Sequence, residues 1–150
     1  MTARTAKPRR QAGTVRQAAG IAVCLMVLLP AGVARADMAD LLGDKDLYGW
    51  GILANADVAA AARKLAGDDY GTFEGILNVS PPAAIIESRY VYGQGCRPHQ
   101  CDETGALIVV DTADAKVFMA MTDGAVKKSW PGAITAWPAK IRAIVKQNYR

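Results

Sequence analysis

The chain's concentrated chemistry lies in six residues, Cys96-Arg97-Pro98-His99-Gln100-Cys101, which hold its single histidine and two of its three cysteines. Two thiols this close can close a disulfide ring, or they can join the imidazole between them in holding a metal. Three ligands within six residues and no fourth nearby make a poor structural zinc site, which wants four. A thiol oxidoreductase would show two intervening residues and a helix opening at the first cysteine, whereas four residues separate these. In an oxidising compartment the pair is best read as a disulfide. Such a ring would destabilise the unfolded chain by roughly 2 kcal/mol through loop entropy. Pro98 fixes its own φ and restricts Arg97, so His99 is expected near the tip of a short rigid knuckle. Gly93-Gln94-Gly95, just before it, read as small and flexible. Spacing alone favours a structural staple at a hairpin end with a solvated histidine, since most loop histidines bind nothing.

The compartment is argued from the other end of the chain. Residues 1–36 carry six basic residues and no acidic one, with an apolar stretch from Ala18 to Leu29 that Pro30 ends. A basic start, a short apolar centre and Ala34-Arg35-Ala36 are the parts of a cleaved secretory signal. Twelve apolar residues are too few to span a bilayer, so no integral membrane protein is expected. Arg9-Arg10 is a weak twin-arginine signal, and Cys24, inside the apolar stretch, a weak lipoprotein signal. The mature chain is expected to be residues 37–150, a single domain with 12 basic and 14 acidic residues. Its net charge of −2 replaces the +4 of the whole chain, which removes the electrostatic footprint of a nucleic-acid binder and suits a basic partner.

The knuckle needs a scaffold. Val58, Ala61, Ala62 and Leu65 recur at helical spacing behind the cap Asn55, with Gly67 as the stop. A second helix is expected near Pro138, with Ile141, Ile144 and Val145 on one side. Between them five strands are expected: Thr72–Val79, Ile86–Tyr92, Leu107–Val110, Val117–Met121 and Ala125–Trp130. The fourth and fifth meet at the hairpin signal Asp123-Gly124. This is an α+β domain, an antiparallel meander of about five strands flanked by helices gathered on one side, with a protruding disulfide-closed loop. Trp50, Trp130, Trp137, Tyr90, Tyr92 and Phe118 read as core rather than contact surface.

The hexapeptide Cys96-Arg97-Pro98-His99-Gln100-Cys101 resembles the C-K-P-H-x-C loop of the Ivy family, periplasmic inhibitors of vertebrate (c-type) lysozyme in Gram-negative bacteria. The layout of signal segment, helix, strands, loop, strands and C-terminal helix is similar too. Arg97 stands for the family's lysine, and a longer turn, Asp102-Glu103-Thr104-Gly105, follows the second cysteine. The resemblance implies an inhibitor that pushes the loop into the lysozyme cleft, where His99 hydrogen-bonds the two catalytic carboxyl groups. It further implies Arg97, Pro98, His99 and Gln100 as the lysozyme-binding loop, Cys96–Cys101 as its disulfide, and no cofactor, no metal and no chemistry of its own. Arg97 would add charge toward the cleft, and Gln100 would serve as spacer or rim. Lytic transglycosylases are further partners that the family suggests, and self-association is left open.

Two other classes compete. An enzyme would need a nucleophile and a base, and one histidine with no G-x-S-x-G offers neither a Ser-His nor a Cys-His pair. The acidic pairs Asp68-Asp69 and Asp102-Glu103 sit in polar turns, where carboxylates are usually just solvated. The second competitor is an exported interaction domain whose disulfide loop is only a staple.

Overall fold

The computed structural model of the chain describes residues 37–148, so the expected signal segment, Arg9-Arg10 and Cys24 lie outside the described residues. Five strands form one sheet in the order of the chain: β1 (Ala84–Ile86), β2 (Tyr90–Gly95), β3 (Thr104–Asp111), β4 (Lys116–Asp123) and β5 (Val126–Trp130). Every neighbouring pair is antiparallel, so the sheet is the expected meander. The central strand β3 is buried along nearly its whole length. That explains its unbroken apolar run: both faces of the strand are covered, so alternation with polar residues is lost.

Two cores result. Val91, Ile108, Val110, Met119 and Met121 point to one face, under α1 (Ala56–Ala66), α2 (Tyr70–Ile76) and two short 3-10 turns, Met38–Gly43 and Trp50–Ala54. Tyr92, Leu107, Val109, Phe118 and Ala120 point to the other, under Trp137 and α3 (Ala139–Asn148). The helices therefore lie on both faces of the sheet and not on one side, because each face presents a full apolar stripe that has to be covered. Among the described residues no helix is long and apolar enough to cross a membrane.

α1 forms where its caps predict. The Asn55 side chain accepts from the backbone N–H groups of Asp57 and Val58, and Gly67 ends the helix at φ 55°. Its buried residues are Val58, Ala59, Ala62 and Ala66, while Ala61 and Leu65 pack only partly against the core. The inward face is thus rotated slightly from the expected one. α3 follows Pro138 and buries Ile141, Ile144 and Val145, as expected.

Two of the expected strands are replaced. Thr72–Val79 is mostly helix: α2 buries Tyr70, Phe73 and Ile76, with Leu77 fully buried just after it. Those residues recur at three and four, which is a helical period, although Gly71 and Gly75 weaken the propensity. Ile86–Tyr92 is two strands and the turn between them. Glu87 and Ser88 take φ of 53° and 48°, and the Arg89 N–H donates to the Ile86 carbonyl, so the chain reverses in a type I′ turn. The number of strands agrees with expectation, but their assignment differs. The aromatic residues are also sorted differently. Tyr90, Tyr92, Phe118 and Trp137 are buried and Trp130 is half-buried, whereas Trp50 is 55% exposed.

Candidate functional site

β2 and β3 run side by side to the register pair Gly95↔Ala106, and the loop between them carries Cys96 to Glu103. Its foot is fixed by backbone contact. Cys96 and Val79 exchange both of their backbone hydrogen bonds, at 3.0 and 3.1 Å. A Cβ on Gly95 would lie 2.8 Å from the Val79 carbonyl oxygen, and one on Gly93 would lie 2.8 Å from the Gly49 Cα. These glycines therefore permit the segments at 49 and 77–80 to press against the strand. Residues 93–95 are members of β2, contrary to the flexibility expected of them, and their small size serves close approach.

Cys96 and Cys101 form the disulfide, with Cα atoms 5.0 Å apart. Inside the ring the chain makes one tight turn. The Gln100 N–H donates to the Arg97 carbonyl at 3.1 Å, Pro98 occupies the second position, and His99 the third with φ 61°. Proline followed by a left-handed residue is the signature of a type II turn. Histidine is among the few side chains that enter that region with some ease, though not freely. Pro98, His99 and Gln100 are exposed, so the turn presents the imidazole at an exposed corner.

Behind the corner the loop is held by polar groups. Thr104, 5% exposed, accepts from the Arg97 N–H at 3.0 Å through its Oγ1 and donates from the same atom to the Gln100 carbonyl at 3.0 Å. The same carbonyl accepts from the backbone N–H groups of Glu103 and Thr104 at 3.0 and 2.8 Å. The Arg97 guanidinium reaches the last residue of β4, donating from Nη1 and Nη2 to the two carboxylate oxygens of Asp123 at 2.8 and 2.9 Å. Both acceptors of Asp123 and the fork of Arg97 are thereby engaged within the molecule. Arg97, expected to add charge toward the cleft, is thus paired with a carboxylate of its own sheet. The turn expected over Asp102–Gly105 is shorter than expected, because Thr104 and Gly105 already belong to β3. Asp102 and Glu103 remain exposed beside the loop.

A shallow pocket of about 250 Å³ lies at the foot, between Val79, Pro81, Gln94 and the disulfide. No carboxylate, imidazole, amine or free thiol is among its lining residues, and the one hydroxyl there, on Thr104, donates to the Gln100 carbonyl. Among the described residues no group of three or more His, Cys, Asp or Glu could hold a metal ion. The acidic pair Asp68-Asp69 is far from a dyad in character: Asp69 pairs with Lys128 at 2.6 Å. What the loop offers is shape and one imidazole, which suits binding rather than turnover.

Sequence reasoning missed the two residues that organise the loop from outside it. Asp123 read as half of a hairpin signal and Thr104 as part of a turn. The only clue to the first was an unexplained arginine at position 97, which buried or half-buried structure tends to match with a carboxylate.

A Sinorhizobium fredii protein, y4bG, is 29% identical over 90 residues, which are 60% of this chain and 33% of that protein. The chain thus spans about a third of the length of the curated relative it matches. No solved structure matches the chain. The family model described as inhibitor of vertebrate lysozyme (Ivy) matches residues 57–150, which takes in all five strands and the whole disulfide-closed loop. The chain belongs to the Ivy family, inhibitors of vertebrate lysozyme.

Proposed function

We propose that this protein inhibits c-type lysozyme by inserting the Cys96–Cys101 loop into the active-site cleft, with His99 as the plug. The observation that carries the reading is the exposed imidazole at the corner of a doubly constrained turn, in a chain of an inhibitor family. Lysozyme cleaves its polymer with one protonated and one ionised carboxyl group. An imidazole has a nitrogen on each edge and can face two carboxyl partners at once. A loop already fixed in shape loses little conformational entropy on docking, so more of the contact energy shows as affinity. Pro98 and Gln100 would flank the plug and touch the cleft rim, while Arg97 would act from behind through Asp123.

In this reading the protein has no catalytic residue and takes no cofactor. Residues 1–36 direct export to the periplasm and are removed, leaving residues 37–150 as one inhibitory domain. There it would meet an incoming lysozyme, and lytic transglycosylases, which act on the same polymer, are secondary targets to assay.

The test is lysis of a bacterial cell-wall suspension by a c-type lysozyme, with and without the purified protein, beside His99→Ala. Inhibition is expected, and His99→Ala is expected to weaken it at least 10-fold, as removal of an interface anchor of roughly 2 kcal/mol does. Equal potency of the two proteins would exclude the plug. No inhibition at micromolar protein would leave the loop as a staple in an interaction domain with another partner.

A further inference from the structure

We propose that the loop carries two redundant locks, the Cys96–Cys101 disulfide and the Arg97–Asp123 fork acting together with the Thr104 hydroxyl, so that it keeps its inhibitory shape when the disulfide is open. The inference rests on the loop being the inhibitory element, and it assigns Arg97, Asp123 and Thr104 as positioning residues.

The two locks act on different parts of the loop. The disulfide joins its ends at Cys96 and Cys101. The fork and Thr104 instead pin the segment from Arg97 to Gln100, which carries the turn itself. Arg97 is tied at three points: its guanidinium to Asp123, its N–H to Thr104 Oγ1, and its carbonyl to the Gln100 N–H. Gln100 is tied through its carbonyl to Thr104 and Glu103. None of these bonds involves sulfur, and all of them end on β3, β4 or the loop itself. Asp123 pairs in register with Thr104, so the fork and the hydroxyl act from one spot at the end of the sheet.

Exposed ion pairs contribute little as a rule, and both side chains here are about one-third exposed, 34% and 31%. The exception is a bidentate arginine–carboxylate pair with fixed geometry, because two parallel hydrogen bonds set direction as well as distance. A point charge could not do this: lysine at position 97 would keep attraction to Asp123 but lose the fork. Arginine rather than lysine at position 97 is therefore what lets this contact fix the direction of the loop.

Redundant constraints predict a specific form of non-additivity. With either lock intact the turn is held, so losing one alone is expected to cost under about 5-fold in inhibition. Losing both should cost more than about 50-fold, beyond the product of the separate losses, since groups in one network couple. The proteins to compare are the parent, Cys96→Ser/Cys101→Ser, Asp123→Asn and the three changes together. Each is assayed for lysozyme inhibition and for amide hydrogen exchange in the free protein. The Thr104 N–H should stay protected in each single-lock variant and exchange freely in the combined one. Arg97→Asp/Asp123→Arg, placed in the cysteine-free background, should restore both readouts, which a merely destabilising substitution would not do. Losses that simply multiply, or a cysteine-free protein already as inactive as the combined variant, would overturn the proposal. If even the parent fails to inhibit, the plug reading is lost, and the exchange pattern alone then decides whether the second lock exists.

Discussion

His99 occupies left-handed backbone, at φ 61°, at the exposed corner of its turn. A side chain held there costs about 1 kcal/mol relative to glycine, because Cβ crowds the neighbouring carbonyl. A residue chosen for stability alone would be glycine. His99→Gly should therefore raise stability by about 0.5 kcal/mol, after allowing for the greater freedom of glycine in the unfolded chain. The same change should weaken inhibition at least as much as His99→Ala. Urea midpoints and lysozyme assays on the two variants check this together. A gain in stability with loss of function would mark His99 as kept for binding; a loss of stability would mean the ring supports the loop. The imidazole was legible in the sequence because it is the chain's single histidine between two cysteines. Its backbone strain was not, since φ depends on how the turn is closed.

At the scale of elements, the loop stands where two segments press against the end of β2. Gly95→Ala would place a Cβ 2.8 Å from the Val79 carbonyl oxygen and 3.0 Å from the Leu77 Cα, both backbone atoms that cannot swing aside. The expected cost is about 2 kcal/mol, in the range of other overpacked sites, together with weaker inhibition as the foot of the loop shifts. Thermal unfolding and the lysozyme assay of this variant measure the two effects. A neutral outcome would show that the segment at 77–80 yields. Elements with strong local signals were readable: α1 from Asn55 and Gly67, α3 from Pro138, and the β4–β5 hairpin from Asp123-Gly124. α2 was not, because Gly71 and Gly75 diluted the period that Tyr70, Phe73 and Ile76 carry. Gly93 and Gly95 looked flexible for a related reason: the backbone that needs their small size is more than ten residues away in the chain. Trp50 looked like core because large aromatic residues usually are, and only the packed fold leaves it exposed.

The whole molecule places one bidentate arginine–aspartate pair at each end of β3. At the loop end stands Arg97–Asp123. At the other, Arg89 donates from Nε and Nη2 to the two carboxylate oxygens of Asp111, both at 2.8 Å. The Arg89 guanidinium holds the Asp111 carboxyl below its ordinary range, mainly through those hydrogen bonds, while burial opposes them. A carboxyl with a lowered folded-state pKa binds a proton more weakly folded than unfolded. Its contribution to stability is thus complete above the ordinary aspartate range near pH 4 and is lost as the pH falls through the folded value. Asp111→Asn should cost about 1–2 kcal/mol at neutral pH, because a buried acceptor of charged hydrogen bonds is replaced, and the difference from the parent should shrink in acid. The rest of the eight-residue strand β3, at about 3.3 Å per residue, separates Asp111 from the loop, far beyond the range over which substitutions usually couple. Asp111→Asn should accordingly leave lysozyme inhibition unchanged at temperatures where the protein is folded. Combined with His99→Ala, it should show the full stability loss of one change and the full inhibitory loss of the other, with no interaction between them. Urea titrations at pH 7 and pH 3 beside the lysozyme assay test this. A drop in inhibition from Asp111→Asn alone would mean that the sheet transmits strain along its length to the loop, and that holding the fold and presenting the histidine are one task rather than two.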